Sequence, residues 1–220
     1  MAAVNSKGIT ICMTPAKAQT ANDMTITAVA DTAVVGAVAT LITATPQPAV
    51  GDVVTFPVDL GFPNLNGKSF VVTKLTSTTG FELGQVVAGT GTLKAGSKAS
   101  HYLDTELVCL CLNSLSINAD TPGTISVATY CDPTATLPAS VTAAGTLSFG
   151  GYVDTTSKDY PALLAAVDDG KQRIIKIMLP SNGYILAPVT ISQITWDLPL
   201  DGAVGFAGTA SLGSKPRHFW

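Results

Sequence analysis

The stretch that decides the fold reads DYPALLAAVDDGKQRIIKIMLPSNG, residues 159–183. An apolar stripe with helical spacing predicts one short amphipathic helix: Tyr160, Leu163, Leu164 and Val167. Pro161 falls in the first turn, where a missing N–H costs little, and Gly170 stands where a left-handed residue ends a helix. The β-branched run that follows, closed by Asn182-Gly183, predicts a strand and a tight turn.

Strands are predicted on both sides of this stretch. Downstream, Tyr184–Leu198 is long enough for one long strand or two short ones, a turn follows at 199–202, and Ala203–Leu212 returns. Further strands are predicted upstream, over 106–117, 124–130 and 142–153, with a polar loop over 132–138. The predicted fold class is therefore mainly β, a sandwich or barrel with one flanking α-helix and a small β-meander in the N-terminal half.

Turn signals and composition divide the chain into segments. The small module, 46–93, has a predicted core of Val54, Phe56, Phe70, Val72 and Phe81. The predicted organisation is an N-terminal arm (1–24), a β-sandwich (25–45 with 102–216), an inserted β module (46–93), a flexible loop (84–101) and a C-terminal tail (217–220). A short strand is predicted within the arm, at Ile9–Met13.

The composition is poor in charge. Of 220 residues, 46% are hydrophobic and only 12% are charged, about half the usual share of roughly 25%. Such a surface limits the solubility of a free monomer, so we expect neighbouring subunits to cover much of it. The net charge is −3 and Lys and Arg do not cluster, which argues against nucleic-acid binding by phosphate neutralisation.

Targeting signals are not expected. The start, Met1–Lys7, lacks a basic segment followed by an apolar core, so no signal peptide is predicted. The apolar stretch 25–45 is interrupted by Asp31 and Gly36, which disfavours a membrane span.

No motif predicts an enzyme, and no catalytic residue, cofactor or metal ligand is assigned. Gly91–Lys98 approaches a phosphate-binding loop, but Ser97 stands where the motif needs the lysine. His101 and His218 lack the context of a nucleophile and base.

The four cysteines are Cys12, Cys109, Cys111 and Cys131. Two bridges are conceivable, but we expect small buried thiols in a reducing compartment. Cys109 and Cys111 share one side of a predicted strand, and their spacing does not suit a zinc knuckle.

Acidic and aromatic residues near the C-terminus are further candidates for contacts, and two of these features allow two interpretations each. Asp168-Asp169 oppose the helix dipole, which fits either a solvated helix end or contact with a cation or basic partner. Trp196 is predicted to be core. The terminal residues 217–220 either fold back on their own domain or dock on a neighbour.

The order of these elements resembles the major tail tube proteins of long-tailed, lambda-like bacteriophages. The residues that carry the resemblance are Ile125–Pro133, Gly145–Phe149, the helix ending at Gly170, Ile174–Ile177 and Ile194–Leu212. It covers about residues 105–216 and lies in element order rather than in one motif.

The resemblance implies a structural virion protein without enzymatic activity. Such subunits form hexameric rings that stack head-to-tail into a tube, with strands lining a channel for phage DNA. Implied partners are other copies of the chain, a tape measure protein and terminator or baseplate proteins, with DNA passing without specific binding and no membrane insertion. The implied location is the virion tail, after assembly in the host cytoplasm. The mild acidity of the chain predicts a channel wall that repels phosphate.

Two alternatives remain at this stage. One is a tail terminator, completion or baseplate hub protein of the same fold, which forms rings but not long tubes. The other is an exported β domain that binds carbohydrate or a cell surface. That protein would expose aromatic side chains near loop acids and would tolerate oxidised cysteines.

Overall fold

Antiparallel strands dominate the structure, a computed structural model that describes residues 9–15, 23–34, 37–83, 90–118, 122–126, 136–142, 145–154, 156–180, 183–199 and 201–219. A short 3-10 turn spans Asp104–Glu106. The strands and the helix are, in chain order, β1 (Thr10–Met13), β2 (Asp23–Val34), β3 (Ala37–Thr45), β4 (Val53–Thr55), β5 (Ser69–Val71), β6 (Lys74–Leu75), β7 (Gly80–Glu82), β8 (Lys98–Tyr102), β9 (Val108–Cys109), β10 (Leu112–Asn118), β11 (Pro122–Ser126), β12 (Thr136–Thr142), β13 (Thr146–Tyr152), α1 (Asp159–Asp169), β14 (Arg173–Met178), β15 (Tyr184–Asp197), β16 (Gly205–Leu212) and β17 (Arg217–Phe219).

The chain forms two units, and the larger comprises Met1–Met13 and Val108–Trp220. Its eight-stranded antiparallel sheet runs β10-β13-β16-β15-β14-β1-β9, with β17 also paired to β15. Strands β11 and β12 form a separate hairpin. The predicted fold class, mainly β with one helix, is confirmed.

The long strand β15 holds the larger unit together. It pairs with β14 over its first half and with β16 over its second half, so it is one strand rather than two. A bulge between Ile191 and Gln193 shifts the register, which keeps apolar side chains on one face as the strand bends. That face carries a continuous core, which includes Leu147, Phe149, Ile175, Ala187, Val189, Ile191, Phe206, Ala210 and Leu212.

Helix α1 covers this core. Leu163 and Ala166 are buried among its residues, and the helix ends at Gly170 with φ 58°, the left-handed conformation predicted from the sequence. At the other end, the Asp159 carboxylate accepts hydrogen bonds from the Cys111 N–H (3.0 Å) and the Tyr160 N–H (2.8 Å). Burial raises the pKa of Asp159, but hydrogen bonds from Ser157 and these two amides outweigh it and hold the pKa below its usual value. The helix is thereby tied to the chain just before β10.

The smaller unit, Thr14–Leu107, is a second antiparallel sheet in the order β5-β4-β8-β2-β3-β7-β6. The core predicted for its middle portion is confirmed, because all five side chains are buried: Val54, Phe56, Phe70, Val72 and Phe81. Phe56 and Phe70 pack with ring centroids 5.8 Å apart.

The boundaries of this insertion differ from the predicted ones. Strands β2 and β3 pair with each other and with β8 and β7 of the smaller unit, so 25–45 joins the insertion rather than the larger sheet. Strand β1 lies between β14 and β9, so residues 10–13 are part of the larger sheet and not of an arm. Sequence alternation identifies strands, but it does not identify which strand pairs with which. The remaining residues of the proposed arm, 1–8 and 16–22, lie outside the described part of the chain.

Part of the predicted flexible loop 84–101 is held by hydrogen bonds to neighbouring segments. Its end forms β8, which lies between β4 and β2 with Ala99 and His101 buried. The preceding residues are fixed by the Thr92 N–H, which donates to the Gly61 carbonyl (3.2 Å), and by the Lys94 N–H, which donates to the Leu60 carbonyl (3.0 Å). Residues 84–89 lie outside the described part. Strand β12 also replaces part of the predicted polar loop 132–138.

Two predictions from the sequence are wrong, one on the cysteines and one on Trp196, and the structure also places Phe219. Cys12 and Cys109 face each other across β1 and β9 and form a disulfide, which contradicts the expectation of reduced thiols. Cys111 is free and exposed, whereas Cys131 lies outside the described residues. Trp196 is 54% exposed, so its prediction as core is wrong. Phe219 folds back on its own unit, where its buried ring stacks on Tyr184 with centroids 4.4 Å apart.

Candidate assembly surface

The face of the larger sheet opposite α1 is open, and away from the strand ends at Tyr152 and Asp197 it consists of small or uncharged polar residues. Paired residues in antiparallel strands point to the same face, so the strand register defines rows across β10, β13, β16 and β15. The rows are Asn118–Thr146–Ser211–Thr190, Ser116–Ser148–Thr209–Gln193 and Ser114–Gly150–Ala207–Thr195. We call these rows the open face. Its residues are hydroxyl, amide or very small, and none is charged.

The open face is hollowed. A depression of about 400 Å³ is lined by its central residues, among them Ser116, Ser148, Gln193 and Thr209. Gly150 allows the strands to lie closely here, because a Cβ at that position would come 2.9 Å from the Ser114 hydroxyl oxygen. The rows therefore form a smooth concave wall rather than a deep pocket.

Hydrogen bonds within the open face are made by side chains and backbone of neighbouring strands. The Thr195 hydroxyl donates to the Ala207 carbonyl (3.2 Å), and the hydroxyls of Ser192 and Ser211 are 3.5 Å apart. Without fixed charge, this wall can bind water and form neutral hydrogen bonds, but it can neither neutralise nor strongly repel phosphate.

One side of the open face ends in an unpaired strand edge. Within the described part of the chain, β10 pairs only with β13, so its other edge presents backbone N–H and C=O groups. Leu115 and Ile117 on this strand are only partly buried against the core. Proteins usually cover or pair such an edge, which makes β10 a position where another strand can join the sheet.

A buried polar cluster lies in the smaller unit. The Asp52 carboxylate accepts hydrogen bonds from the Ala49 N–H (2.8 Å) and the Asp104 N–H (2.8 Å), and it lies 3.0 Å from His101 Nε2. Both Asp52 and His101 are buried. The carboxylate joins three backbone segments, so its geometry is that of a structural clamp.

The two histidines and the segment that approaches a phosphate-binding loop do not form a catalytic or phosphate-binding site in the structure. His101 lies on β8, and His218 is exposed on β17 opposite Ile185. The near-P-loop segment does not form a phosphate cradle: its Ser97 hydroxyl donates to the Lys94 carbonyl (2.8 Å), and the Lys94 ammonium pairs with Asp59.

The two acids at the end of α1 have different surroundings. The Asp169 carboxylate accepts from Arg173 Nη2 (2.6 Å) and from the Lys171 N–H (2.9 Å). The hydrogen bond from Arg173 lowers the pKa of Asp169. Asp169 therefore forms a local ion pair with Arg173. Asp168, like Asp169, is exposed to solvent.

The described residues form neither a metal site nor a membrane-spanning helix. In the described ranges, no group of three or more His, Cys, Asp or Glu side chains is arranged to hold a metal ion. Nor does the helix found there have the length and apolar character needed to cross a bilayer.

The open face was not identified from the sequence. Its signal is the alternation of Ser, Thr and Gln with apolar residues along β13, β15 and β16, which predicts a half-buried strand but not its neighbours. Only the register shows that the polar positions of the four strands form one surface.

Comparison with known proteins gave matches among solved structures only. No protein-family description matches the chain, and no curated protein sequence matches it. One similar structure is a chain of the virion of a native gene transfer agent particle, with a TM-score of 0.41, 12% identity and coverage of 54% of this chain and 92% of that chain. Another is a chain of the tail of an empty gene transfer agent particle with C6 symmetry, with a TM-score of 0.39, 14% identity and coverage of 50% and 83%.

Proposed function

We propose that the chain is a structural subunit of a phage-like tail tube, which assembles with copies of itself into stacked hexameric rings that conduct DNA. The observation that carries the proposal is the combination, in one sheet, of rows of uncharged residues on the open face and an unpaired edge strand, β10. A sheet of this kind completes itself by pairing with a neighbour, and repetition around a ring removes every edge.

In this proposal the open face lines the channel. Hydroxyl and amide rows offer no charge to hold a phosphate backbone, so DNA slides without a specific contact. The acidic wall predicted from the sequence does not apply to these three rows, which contain no acid; Asp197 lies on the same face beyond them, in the row of Tyr152 and Gly205. Tape measure, terminator and baseplate proteins are the further partners of such a tube, and the virion tail is its location.

Negative-stain electron microscopy of the purified full-length chain over a range of concentrations tests the proposal. Tubes with a regular ring repeat are expected at high concentration, because association of identical subunits follows mass action. Monomers at every concentration would refute self-assembly. Isolated rings without tubes would favour a terminator, completion or hub protein of the same fold.

A second function, an exported carbohydrate- or surface-binding domain, is favoured by two observations. The Cys12–Cys109 disulfide is typical of an oxidising compartment. Tyr152 and Trp196 are exposed beside Asp197. However, the register places Tyr152 on the open face and Trp196 on the core-side face, so the two rings do not form one stacking platform.

Glycan binding distinguishes these functions, whereas peptide mapping tests the disulfide alone. Digestion of unreduced protein should yield a linked peptide pair containing Cys12 and Cys109. A matched preparation should show no retention on an array of cell-surface glycans if the chain is a tube subunit. Glycan retention abolished by Trp196→Ala, together with an absence of tubes, would support the exported domain instead.

A further inference from the structure

We propose that one end of the larger unit is the surface through which a copy of this chain docks on the next copy; this inference rests on the function proposed above. The surface, which we call the rim, lies where β13 and β15 end and β16 begins. Its residues are Tyr152, Asp154, Trp196, Asp197, Leu198 and Asp201.

The rim concentrates exposed apolar surface. Tyr152 is 61%, Trp196 54% and Leu198 72% exposed, and in the described part of the larger unit these are the large hydrophobic side chains that solvent reaches most. Tyr and Trp are the residues most enriched at the centres of protein interfaces. Their grouping at one end of the sheet marks that end as a contact surface.

The rim side chains surround the end of the sheet. Tyr152 and Asp197 flank Gly205 on the open-face side, whereas Trp196 points to the side of α1. There the Trp196 indole N–H donates to the Tyr160 hydroxyl, which fixes the ring. A partner that contacts both sides must therefore approach along the strands, end-on.

The charge of the rim is predominantly acidic. Asp154, Asp197 and Asp201 are all exposed, and the cation nearest to them in sequence is Lys158, just before α1. The pKa of Asp154 is held below its usual value by hydrogen bonds from Thr156, so this carboxylate is ionised at neutral pH.

The opposite end of the same unit has a basic corner formed by Lys171 and Lys215. These residues lie on two loops that touch, because Gly213 packs against the Gln172 side chain. Both lysines are exposed. Among the neighbouring ionic groups of α1 and β14, Asp169 pairs with Arg173 and also lies close to Lys171, and Asp168 is a second acid, so the two lysines and Arg173 outnumber these acids by one.

The rim and the basic corner face away from each other along the sheet. The part of strand β15 between Val189, which lies beside the corner, and Asp197, which lies in the rim, is about 26 Å long at about 3.3 Å per residue. A contact between two different ends of identical subunits is heterologous and repeats without limit. The chain itself thus carries the surface complementary to its rim, which identifies a second copy as the occupant.

Charge exchange between two variants tests this pairing. Asp201→Lys and Lys215→Glu each place like charges across the contact, so each variant alone should assemble at least about tenfold less readily than the wild type. In an equimolar mixture, alternation of the two variants along the stack joins opposite charges at every contact, and tubes should form at the wild-type concentration. Circular dichroism verifies folding of both variants, and Glu106→Lys, an equal charge change in the other unit, is the control.

The outcomes separate this inference from the proposed function. If wild-type tubes form and both single variants assemble normally, the rim is not the docking surface although the tube function stands. If the variants are impaired and the mixture does not recover, the two ends do not contact each other. If the wild type never associates, the proposed function fails and the inference fails with it.

A second variant tests the apolar part of the rim. Leu198→Ser removes an exposed side chain that the fold does not bury, so folding should be unaffected while association weakens about tenfold. Added salt should weaken wild-type assembly, because the Debye length falls to about 3 Å at 1 M. Unchanged assembly of Leu198→Ser and insensitivity to salt would contradict the inference.

Discussion

Gly208→Ala should destabilise the larger unit although alanine usually suits a strand better than glycine does. Gly208 lies on β16 opposite Phe149, and a Cβ placed on it would come 2.3 Å from Phe149 Cζ and 2.5 Å from Cε2. Because an ordinary contact begins near 3.4 Å, the ring would have to retreat by more than an ångström. Phe149 is only 4% exposed and packs edge-on against Phe206, so the core leaves it little freedom to move.

The expected cost is about 2 kcal/mol, the middle of the range of about 1–3 kcal/mol for overpacking a core. For a domain of this size that corresponds to a decrease of roughly 4–8 °C in Tm. Calorimetry of the full-length chain measures it, with the transition of the larger unit identified by tryptophan fluorescence, because both tryptophans, Trp196 and Trp220, belong to that unit.

Gly205→Ala is the matched control on the same strand. Its nearest neighbour would be the Asp197 Cβ at 3.7 Å, an ordinary contact, so its Tm should change little. Gly208→Ala combined with Phe149→Leu should lose less stability than the two single changes together, since the smaller side chain relieves the clash. A Gly208→Ala protein as stable as Gly205→Ala would show that the packing at Phe149 is described wrongly.

Three further predictions concern the polar groups. Asp52→Ala should destabilise the smaller unit by about 3 kcal/mol in urea unfolding, because it leaves buried hydrogen-bond donors without an acceptor. Asp59→Ala, which removes an exposed carboxylate, should have far less effect. Asp169→Asn should lower the unfolding midpoint at pH 7. Because the hydrogen bond from Arg173 lowers the folded-state pKa of Asp169 below its ordinary value of about 3.8, the difference should shrink as pH falls below about 3.8 and vanish once pH is below the folded-state pKa; a difference that does not shrink on acidification would contradict the ion pair. Ser148→Lys should leave tube formation unchanged, but the variant tubes should retain DNA in a filter-binding assay at low salt. Variant tubes that do not retain DNA would contradict the assignment of the open face as the channel wall.

The local elements followed closely from local chemistry. Helix α1 has the predicted stripe and the predicted glycine end, and the phenylalanines predicted as core of the smaller unit are buried. The helical spacing of apolar residues and the glycine at the helix end involve residues close together in the chain, so they can be recognised without knowledge of tertiary contacts. Trp196 was misjudged for the opposite reason, because its exposure depends on the end of a sheet that many distant residues build.

The sequence by itself determined a charge-poor, mainly β protein with one helix and a compact strand–turn–strand end. Only the tertiary structure decided which strands pair, and therefore that β2 and β3 belong to the insertion and that β1 lies inside the larger sheet. It also decided that scattered serines and threonines form one open face and that two distant cysteines meet. Strand pairing joins residues far apart in sequence through backbone groups that are identical in nearly every residue, so its specificity is a property of the whole fold.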